Sequence, residues 1–166
     1  MNTKSYRDFY QKITSPIQSE RSRKKLNTAN ELLTYLFYIA YPALLIDRLV
    51  IDRTMFWKIL LIPAVSFIIL TIIRAAINAP RPYEKEEIVP LIKKDTKGKS
   101  MPSRHVFSAV VIAMSYLAVF PLFGILLLGL AGLSGIIRII GGVHYPKDVI
   151  AGCLCGIVSG LCIFLL

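Results

Sequence analysis

The sequence has few acidic residues, histidines and cysteines. Only 10 aspartates and glutamates stand against 20 lysines and arginines, and the chain has 2 histidines and 3 cysteines. No cluster of carboxylates is present that would hold a cation such as Mg²⁺, which prefers oxygen ligands. The cysteines, Cys153, Cys155 and Cys162, form no Cys-x-x-Cys pair. We therefore expect no metal site, no cofactor and no disulfide, and we interpret the cysteines as small packing residues.

Apolar residues, by contrast, are abundant and occur in long runs. They make up 55% of the 166 residues, and the mean hydropathy of +0.60 exceeds what the core of a soluble domain requires. A helix of about 20 apolar residues crosses a bilayer. We expect such helices at 32–50, 55–79, 104–121, 123–141 and 147–166. The predicted fold class is all-α, a polytopic membrane helix bundle with about five transmembrane helices.

A basic segment, residues 1–31, precedes the predicted bundle at 32–166. Tyr6, Phe9 and Tyr10 recur at helical spacing among its charges, which suits an interfacial helix lying against anionic lipid. A flexible basic tail is the alternative. The net charge of +10 does not indicate nucleic-acid binding, because basic residues of a membrane chain usually record topology or contact with lipid phosphate.

Several charged residues fall within the apolar segments or at their ends. An arginine at the centre of a membrane helix costs about 2.5–3.5 kcal/mol on insertion scales, so Arg74 and Arg138 need a partner or an interface. Arg81 follows Arg74 by seven residues, close to two helical turns. Ser103 and Arg104 stand at a predicted helix N-terminus, where free N–H groups and the helix dipole favour an anion.

Helix hairpins bring these groups to one end of the predicted bundle. His105 lies there, and so does His144, which can meet the carboxylate of Asp148 four residues later. One carboxylate cannot neutralise so many cations. The missing partner is most simply an external anion with several oxygens, which arginine forks bind bidentately, and phosphate fits this description.

Three segments of the chain carry a family resemblance: "RAAINAPRP" at 74–82, "PSRH" at 102–105 and "IRIIGGVHYPKD" at 137–148. In order and spacing they resemble the signatures of the type 2 phosphatidic acid phosphatase family, which read Lys-x6-Arg-Pro, Pro-Ser-Gly-His and Ser-Arg-x5-His-x3-Asp. The chain departs from them at three positions. Arg74 replaces a lysine, Arg104 a glycine and Ile137 a serine.

The resemblance implies a role for each matching position. His144 would attack phosphorus and form a phosphohistidine, and Asp148 would orient its ring. His105 would protonate the leaving oxygen and then activate water, while guanidinium groups take the electrostatic place of a metal. The implied phosphate-binding positions are Arg74, Arg81, Ser103, Arg104 and Arg138. Arg104 leaves the preference between monophosphate and diphosphate open.

The expected function is hydrolysis of a membrane lipid phosphate. The candidates are phosphatidate, a polyprenyl phosphate or diphosphate, and a polyprenyl phosphosugar. Two alternatives are an inactive protein that binds lipid phosphate and a small anion channel or transporter. Both histidines are present, which argues against the first, and a transporter is expected to gather polar groups near the membrane midplane.

Rows of glycines occur in the last two predicted helices, for example Gly152, Gly156 and Gly160. Small residues at this spacing let helix backbones approach closely. We expect them to pack within one bundle, with a homodimer face as the alternative.

The basic segment and the loop at 80–103 fall on the same membrane side if the first two helices form a hairpin. Seven basic residues in the segment place that side in the cytoplasm. The expected location is the cell membrane, with the site on the cytoplasmic side. Better-known members of the resembled family have six spans and an outward-facing site, so this chain either lacks one span or departs from the charge rule. Residues 82–99 are predicted to be a solvated lid or edge without a catalytic role.

Overall fold

The computed structural model describes residues 3–86 and 88–166, which form helices joined by shorter connections. The helices are α1 (Thr3–Thr14), the 3-10 turn η1 (Ser15–Ile17), α2 (Glu20–Ile51), α3 (Arg53–Ile77), α4 (Pro82–Lys85), α5 (Arg104–Val119), α6 (Pro121–Ile140) and α7 (Pro146–Leu165). Met1 and Asn2 of the basic segment and Glu87 of the charged loop lie outside the described residues. The all-α fold class is confirmed.

Four of these helices, α2, α3, α6 and α7, are long and apolar enough to cross a membrane. The fifth apolar helix, α5, has 16 residues. With a rise of about 1.5 Å per residue it is about 24 Å long, less than the hydrocarbon thickness of about 30 Å. The five predicted apolar helices are therefore present, but one of them is shorter than a full span.

The first membrane helix begins earlier than its hydropathy predicts. The Ser19 side chain caps α2 by accepting a hydrogen bond from the Ser22 N–H at 3.2 Å. From Glu20 the helix continues for 32 residues, because lysine, arginine and glutamate form helices nearly as well as leucine does. The predicted boundary between 31 and 32 therefore falls inside one continuous helix.

The short helix α5 is the core of the bundle. It packs along α6 and α7 and also contacts α2 and α3. Its side chains Val106, Phe107 and Ala113 are buried, whereas the outer helices expose large apolar residues such as Ile39 and Ile72. A continuous apolar exterior suits lipid, so α5 is shielded by helices that themselves face the bilayer.

The connections between helices decide which helix ends meet. Asp52 joins α2 to α3, and Phe120 joins α5 to α6, so each pair runs up and down. The C-terminal ends of α3 and α6 consequently lie with the N-terminal ends of α5 and α7. The long loop between α4 and α5 lies at the same end, where Leu91 N–H and Ile92 N–H donate to the Gly141 carbonyl at 3.1 and 3.2 Å.

The N-terminal helix α1 packs against this end of the bundle. Tyr6 and Tyr10 are buried in a cluster with Ile88, and the Tyr6 ring lies edge-on to the Tyr145 ring at a centroid distance of 4.8 Å. The basic segment is therefore helical over Thr3–Thr14, and η1, which contains Pro16, separates α1 from α2. Helix α1 covers Tyr145, the residue that follows His144.

The glycines of α7 lie where that helix meets α5. A Cβ at Gly156 would be 2.8 Å from the Val110 side chain, and one at Gly152 would be 2.5 Å from the Ser103 carbonyl oxygen. These close approaches belong to packing within one bundle. In α6, by contrast, a Cβ at Gly132 would meet nothing within 4 Å in the described part of the chain.

Gly152→Ala is expected to destabilise the bundle, because the new methyl group would meet the Ser103 backbone rather than a mobile side chain. Overpacking of this kind costs about 1–3 kcal/mol. The measurement is the midpoint of thermal unfolding in detergent. Gly132→Ala is the matched control and is expected to leave the midpoint unchanged or raise it, because alanine favours helix more than glycine does. Equal midpoints for the two variants would contradict the close approach.

Candidate active site

The predicted site residues lie at the end of the bundle where α3 and α6 stop and α5 and α7 start. Arg74 is in the last turn of α3, and Arg138 is in the last turn of α6. Ser103 is the N-cap residue of α5, and Asp148 lies in the first turn of α7. Helix termini therefore fix these positions relative to one another.

A cavity of about 990 Å³ opens at this end. Six of the eight predicted residues line it: Arg74, Arg81, Arg104, His105, Arg138 and His144. The other two, Ser103 and Asp148, are completely buried next to it. The structure therefore brings all eight predicted residues together.

His144 is connected to Asp148 through a serine hydroxyl. The distance from His144 Nδ1 to Asp148 Oδ2 is 3.7 Å, longer than a hydrogen bond. Ser100 Oγ lies 3.3 Å from that nitrogen and donates to Asp148 Oδ2 at 2.5 Å. The single hydroxyl hydrogen is used in this bond, so the serine oxygen accepts from the Nδ1–H of His144. His144 Nε2 is then left with a free lone pair.

The carboxylate of Asp148 is itself held by its surroundings. Oδ2 accepts the Tyr145 N–H at 3.0 Å, and the Asp148 carbonyl accepts the Ser103 N–H at 2.8 Å. Asp148 therefore ties together the start of α7, the start of α5 and the His144 ring. Such support fixes the tautomer and direction of an imidazole.

The His144 ring is neutral near pH 7. Burial, aided by Arg81 and opposed by the carboxylate of Asp148, lowers the pKa of His144 to about 4. A neutral imidazole with Nδ1 protonated can act as a nucleophile through Nε2.

Two of the buried arginines donate to backbone carbonyls of the long loop and its surroundings. Arg74 Nη1 and Nη2 donate to the carbonyls of Pro102 and Lys99. Arg81 donates from Nε to the Gly98 carbonyl at 3.1 Å and from Nη1 to the Val143 carbonyl at 3.1 Å. The arginines thereby shape the loop around the cavity. Carbonyl dipoles satisfy the donors but leave the positive charge in place.

Arg138 and Ser103 retain unused polar atoms. Arg138 Nε and Ser103 Oγ are buried and have no hydrogen-bond partner among the described residues. A buried donor left unpaired costs about 1–3 kcal/mol, so such atoms are expected to acquire a partner. An anion in the cavity would supply one to Arg138, which lines it.

Arg104 occupies the position where the resembled family has glycine. Its side chain is exposed at the cavity, with the guanidinium carbon 5.4 Å from the centre of the Phe67 ring. This distance is within the range of a cation–π contact. The arginine therefore lies against α3 and leaves the backbone at the start of α5 free of its side chain.

Sequence analysis did not assign Ser100, Thr34 or Lys94 to the site. Ser100 lies two residues before the second motif, and its position there was the one available signal. Thr34 of α2 contacts His105, with Thr34 Oγ1 3.2 Å from His105 Nε2, but a threonine in an apolar helix carries no motif. Lys94 belongs to the loop that we predicted to be a solvated lid, yet it lines the cavity. Burial lowers the pKa of Lys94 to about 8, and Arg138 and Arg81 add to the shift.

The fold and the cavity define a class: an all-helical, multi-pass membrane protein with a cationic, histidine-containing site at one end of its bundle. Residues 55–166 match the sequence model of the PAP2 superfamily. The chain belongs to this superfamily, whose phosphatases are hydrolases of phosphate esters. No curated protein matches the chain.

Two solved structures share the fold. The crystal structure of LpxE from Aquifex aeolicus is similar with a TM-score of 0.74 and 24% identity, covering 96% of this chain and 94% of that one. The PAP2 type phosphatidylglycerolphosphate phosphatase from Bacillus subtilis is similar with a TM-score of 0.56 and 21% identity, covering 98% and 94%. The prediction of a PAP2-type membrane phosphatase fold is confirmed.

Ser100→Ala is expected to lower kcat for lipid phosphate hydrolysis by about 10–100-fold, the range for loss of a partner that orients a reactive group. KM is expected to change little, because the serine holds His144 and does not line the cavity. The matched control is Ser115→Ala. Ser115 is equally buried in α5 but donates to the Val111 carbonyl at 2.9 Å, remote from the site. Equal kcat values for the two variants would contradict a positioning role for Ser100.

Proposed function

We propose that this protein hydrolyses the phosphate monoester or diphosphate group of a membrane lipid, without a metal, through a phosphohistidine at His144. The observation that carries the proposal is the excess of buried positive charge around two histidines. Arg74, Arg81 and Arg138 are 7%, 4% and 6% exposed. Among the described residues, none of the three forms a salt bridge with a carboxylate.

A phosphate group supplies what this cluster lacks. It carries negative charge and several acceptor oxygens, and guanidinium groups bind such oxygens in a planar fork. In a low-dielectric site their positive charge stabilises the charge that develops on the phosphoryl oxygens during transfer. The arginines would therefore act both in binding and in catalysis.

The two histidines suit the two halves of a double displacement. Attack by the His144 Nε2 lone pair forms a nitrogen–phosphorus bond while the bond from phosphorus to the leaving oxygen breaks. His105 lines the same cavity and would give a proton to that oxygen. In the second half it would take a proton from water as water attacks the phosphohistidine.

The lipid nature of the substrate is supported by where the cavity opens. Its wall includes Tyr35 and Tyr38 of α2 and Phe67 of α3, on helices whose outer surfaces suit the bilayer. An acyl or prenyl chain would lie between these helices while the phosphate reaches the arginines. The related protein from Bacillus subtilis is named for a lipid phosphate, phosphatidylglycerolphosphate.

The test is phosphate release by the purified protein in detergent with excess EDTA. The substrates are phosphatidate, phosphatidylglycerolphosphate, a prenyl monophosphate and a prenyl diphosphate. Release from at least one of them is expected, and His144→Ala is expected to reduce it by about 10³-fold or more, the scale for loss of a covalent nucleophile.

Cys162→Ala serves as the matched control, because Cys162 lies in α7 far from His144 and bonds only to the Val158 carbonyl among the described residues. It should behave as the unaltered protein does. Phosphate release that persists in His144→Ala would refute the nucleophile. The absence of release from all four lipids, with folded protein, would favour a protein that only binds lipid phosphate.

We further propose that the cavity faces the cytoplasm of a cell membrane. The basic segment that contains α1 lies at the cavity end of the bundle, and positive charge favours the cytoplasmic side. In a variant without the native cysteines, Asp8→Cys should react with a membrane-impermeant maleimide only after the cells are opened. Both Asp8 and Thr54 are exposed, and they lie at opposite ends of the bundle. Thr54→Cys should therefore react in intact cells, and the reverse pattern would place the site outside.

A further inference from the structure

Thr34 lies between a backbone carbonyl of its own helix and the second histidine of the cavity. Its Oγ1 is 2.7 Å from the Asn30 carbonyl oxygen and 3.2 Å from His105 Nε2. Thr34 belongs to α2, which precedes the residues 55–166 that match the superfamily. A residue from outside the matched region therefore contacts a histidine of the second motif.

The hydrogen positions in this pair follow from the types of atoms involved. A threonine hydroxyl has one hydrogen, and a carbonyl oxygen can only accept. The short distance to Asn30 assigns the hydroxyl hydrogen to that bond. The hydroxyl oxygen then accepts a hydrogen from His105 Nε2. In its neutral form His105 therefore carries its hydrogen on Nε2, and its lone pair is on Nδ1.

This arrangement is compatible with both protonation states of a proton-transfer group. Neutral His105 holds a hydrogen on Nε2, and the doubly protonated ring holds one on each nitrogen. The bond to Thr34 can consequently persist while a proton enters or leaves at Nδ1. The hydroxyl fixes the ring without competing for the proton that moves.

We propose that Thr34 is a positioning residue that holds His105 for proton transfer at Nδ1 to the leaving oxygen of the substrate. The inference rests on the proposed phosphatase function. As His144 Nε2 bonds to phosphorus, the phosphorus–oxygen bond breaks and its electron pair goes to the leaving oxygen, which takes the proton from Nδ1 of doubly protonated His105. In the return step, water gives a proton to Nδ1 while its oxygen bonds to phosphorus and His144 leaves.

This role predicts a dependence on the leaving group that a merely structural contact would not produce. An alkoxide leaving group needs a proton as it departs, whereas a nitrophenolate needs little help. The test therefore compares a long-chain alkyl phosphate with a nitrophenyl phosphate that carries an alkyl chain of equal length. The measured quantity is kcat/KM, because it reports the first phosphoryl transfer and not the later hydrolysis.

Thr34→Val keeps the shape of the side chain and removes the hydroxyl. It is expected to lower kcat/KM for the alkyl phosphate by about 10–100-fold and for the nitrophenyl phosphate by less than about 3-fold, since general acid catalysis matters little for that group. Thr34→Ser retains the hydroxyl and is expected to restore most of the activity on the alkyl phosphate.

Thr14→Val is the matched control. Thr14 Oγ1 donates to the Tyr10 carbonyl, four residues earlier in α1, at the same 2.7 Å distance, and Thr14 is not among the residues that line the cavity. Any change in this variant is expected to be equal for the two substrates. An equal loss on both substrates in Thr34→Val, or no loss, would overturn the positioning role while leaving the phosphatase proposal intact. An unaltered protein that hydrolyses neither substrate nor any lipid of the panel would overturn both.

Discussion

The architecture of the site depends on how three buried guanidinium groups, those of Arg74, Arg81 and Arg138, are accommodated inside an apolar bundle. Asp148 supplies the one carboxylate among the predicted site residues. Arg74 and Arg81 are accommodated because the chain between α4 and α5 folds back and presents its carbonyls to them. The carbonyl contacts hold that loop against the bundle and make it one wall of the cavity. Since dipoles cannot cancel net charge, the cluster remains suited to an anion.

Asp148 positions neighbouring groups by hydrogen bonds rather than neutralising the arginines. It receives the Ser100 hydroxyl and the Tyr145 N–H, and its own carbonyl receives the Ser103 N–H. In this way the carboxylate aligns His144, the proposed nucleophile, with the helix terminus that would meet the phosphate. A hydroxyl group stands next to each histidine, Ser100 at His144 and Thr34 at His105, and in each case its own hydrogen is used by another acceptor. The two hydroxyls therefore select opposite nitrogens, leaving Nε2 free on His144 and Nδ1 free on His105.

The sequence was sufficient to predict the helices and the meeting of the three motifs, because hydropathy and the spacing of Arg74, His105 and His144 are local properties of the chain. It was insufficient for Thr34, whose contact joins residues 71 positions apart and depends on how α2 packs against α5. Lys94 was missed for a similar reason, since a lysine in a charged loop has the same local pattern whether it faces water or a cavity. The start of α2 at Glu20 was missed because charged residues extend a helix without adding hydropathy.

The central claim is that the phosphoryl group passes through His144 before it reaches water. The stereochemical course tests this most directly, with a thiophosphate ester made chiral at phosphorus by sulfur and two oxygen isotopes and hydrolysed in water of the third oxygen isotope, so that the product keeps four different ligands on phosphorus. Two successive in-line displacements, the first by His144 and the second by the oxygen that accepts the phosphoryl group, predict overall retention of configuration. Inversion would mean that water attacks the substrate directly, and it would contradict a phosphohistidine intermediate.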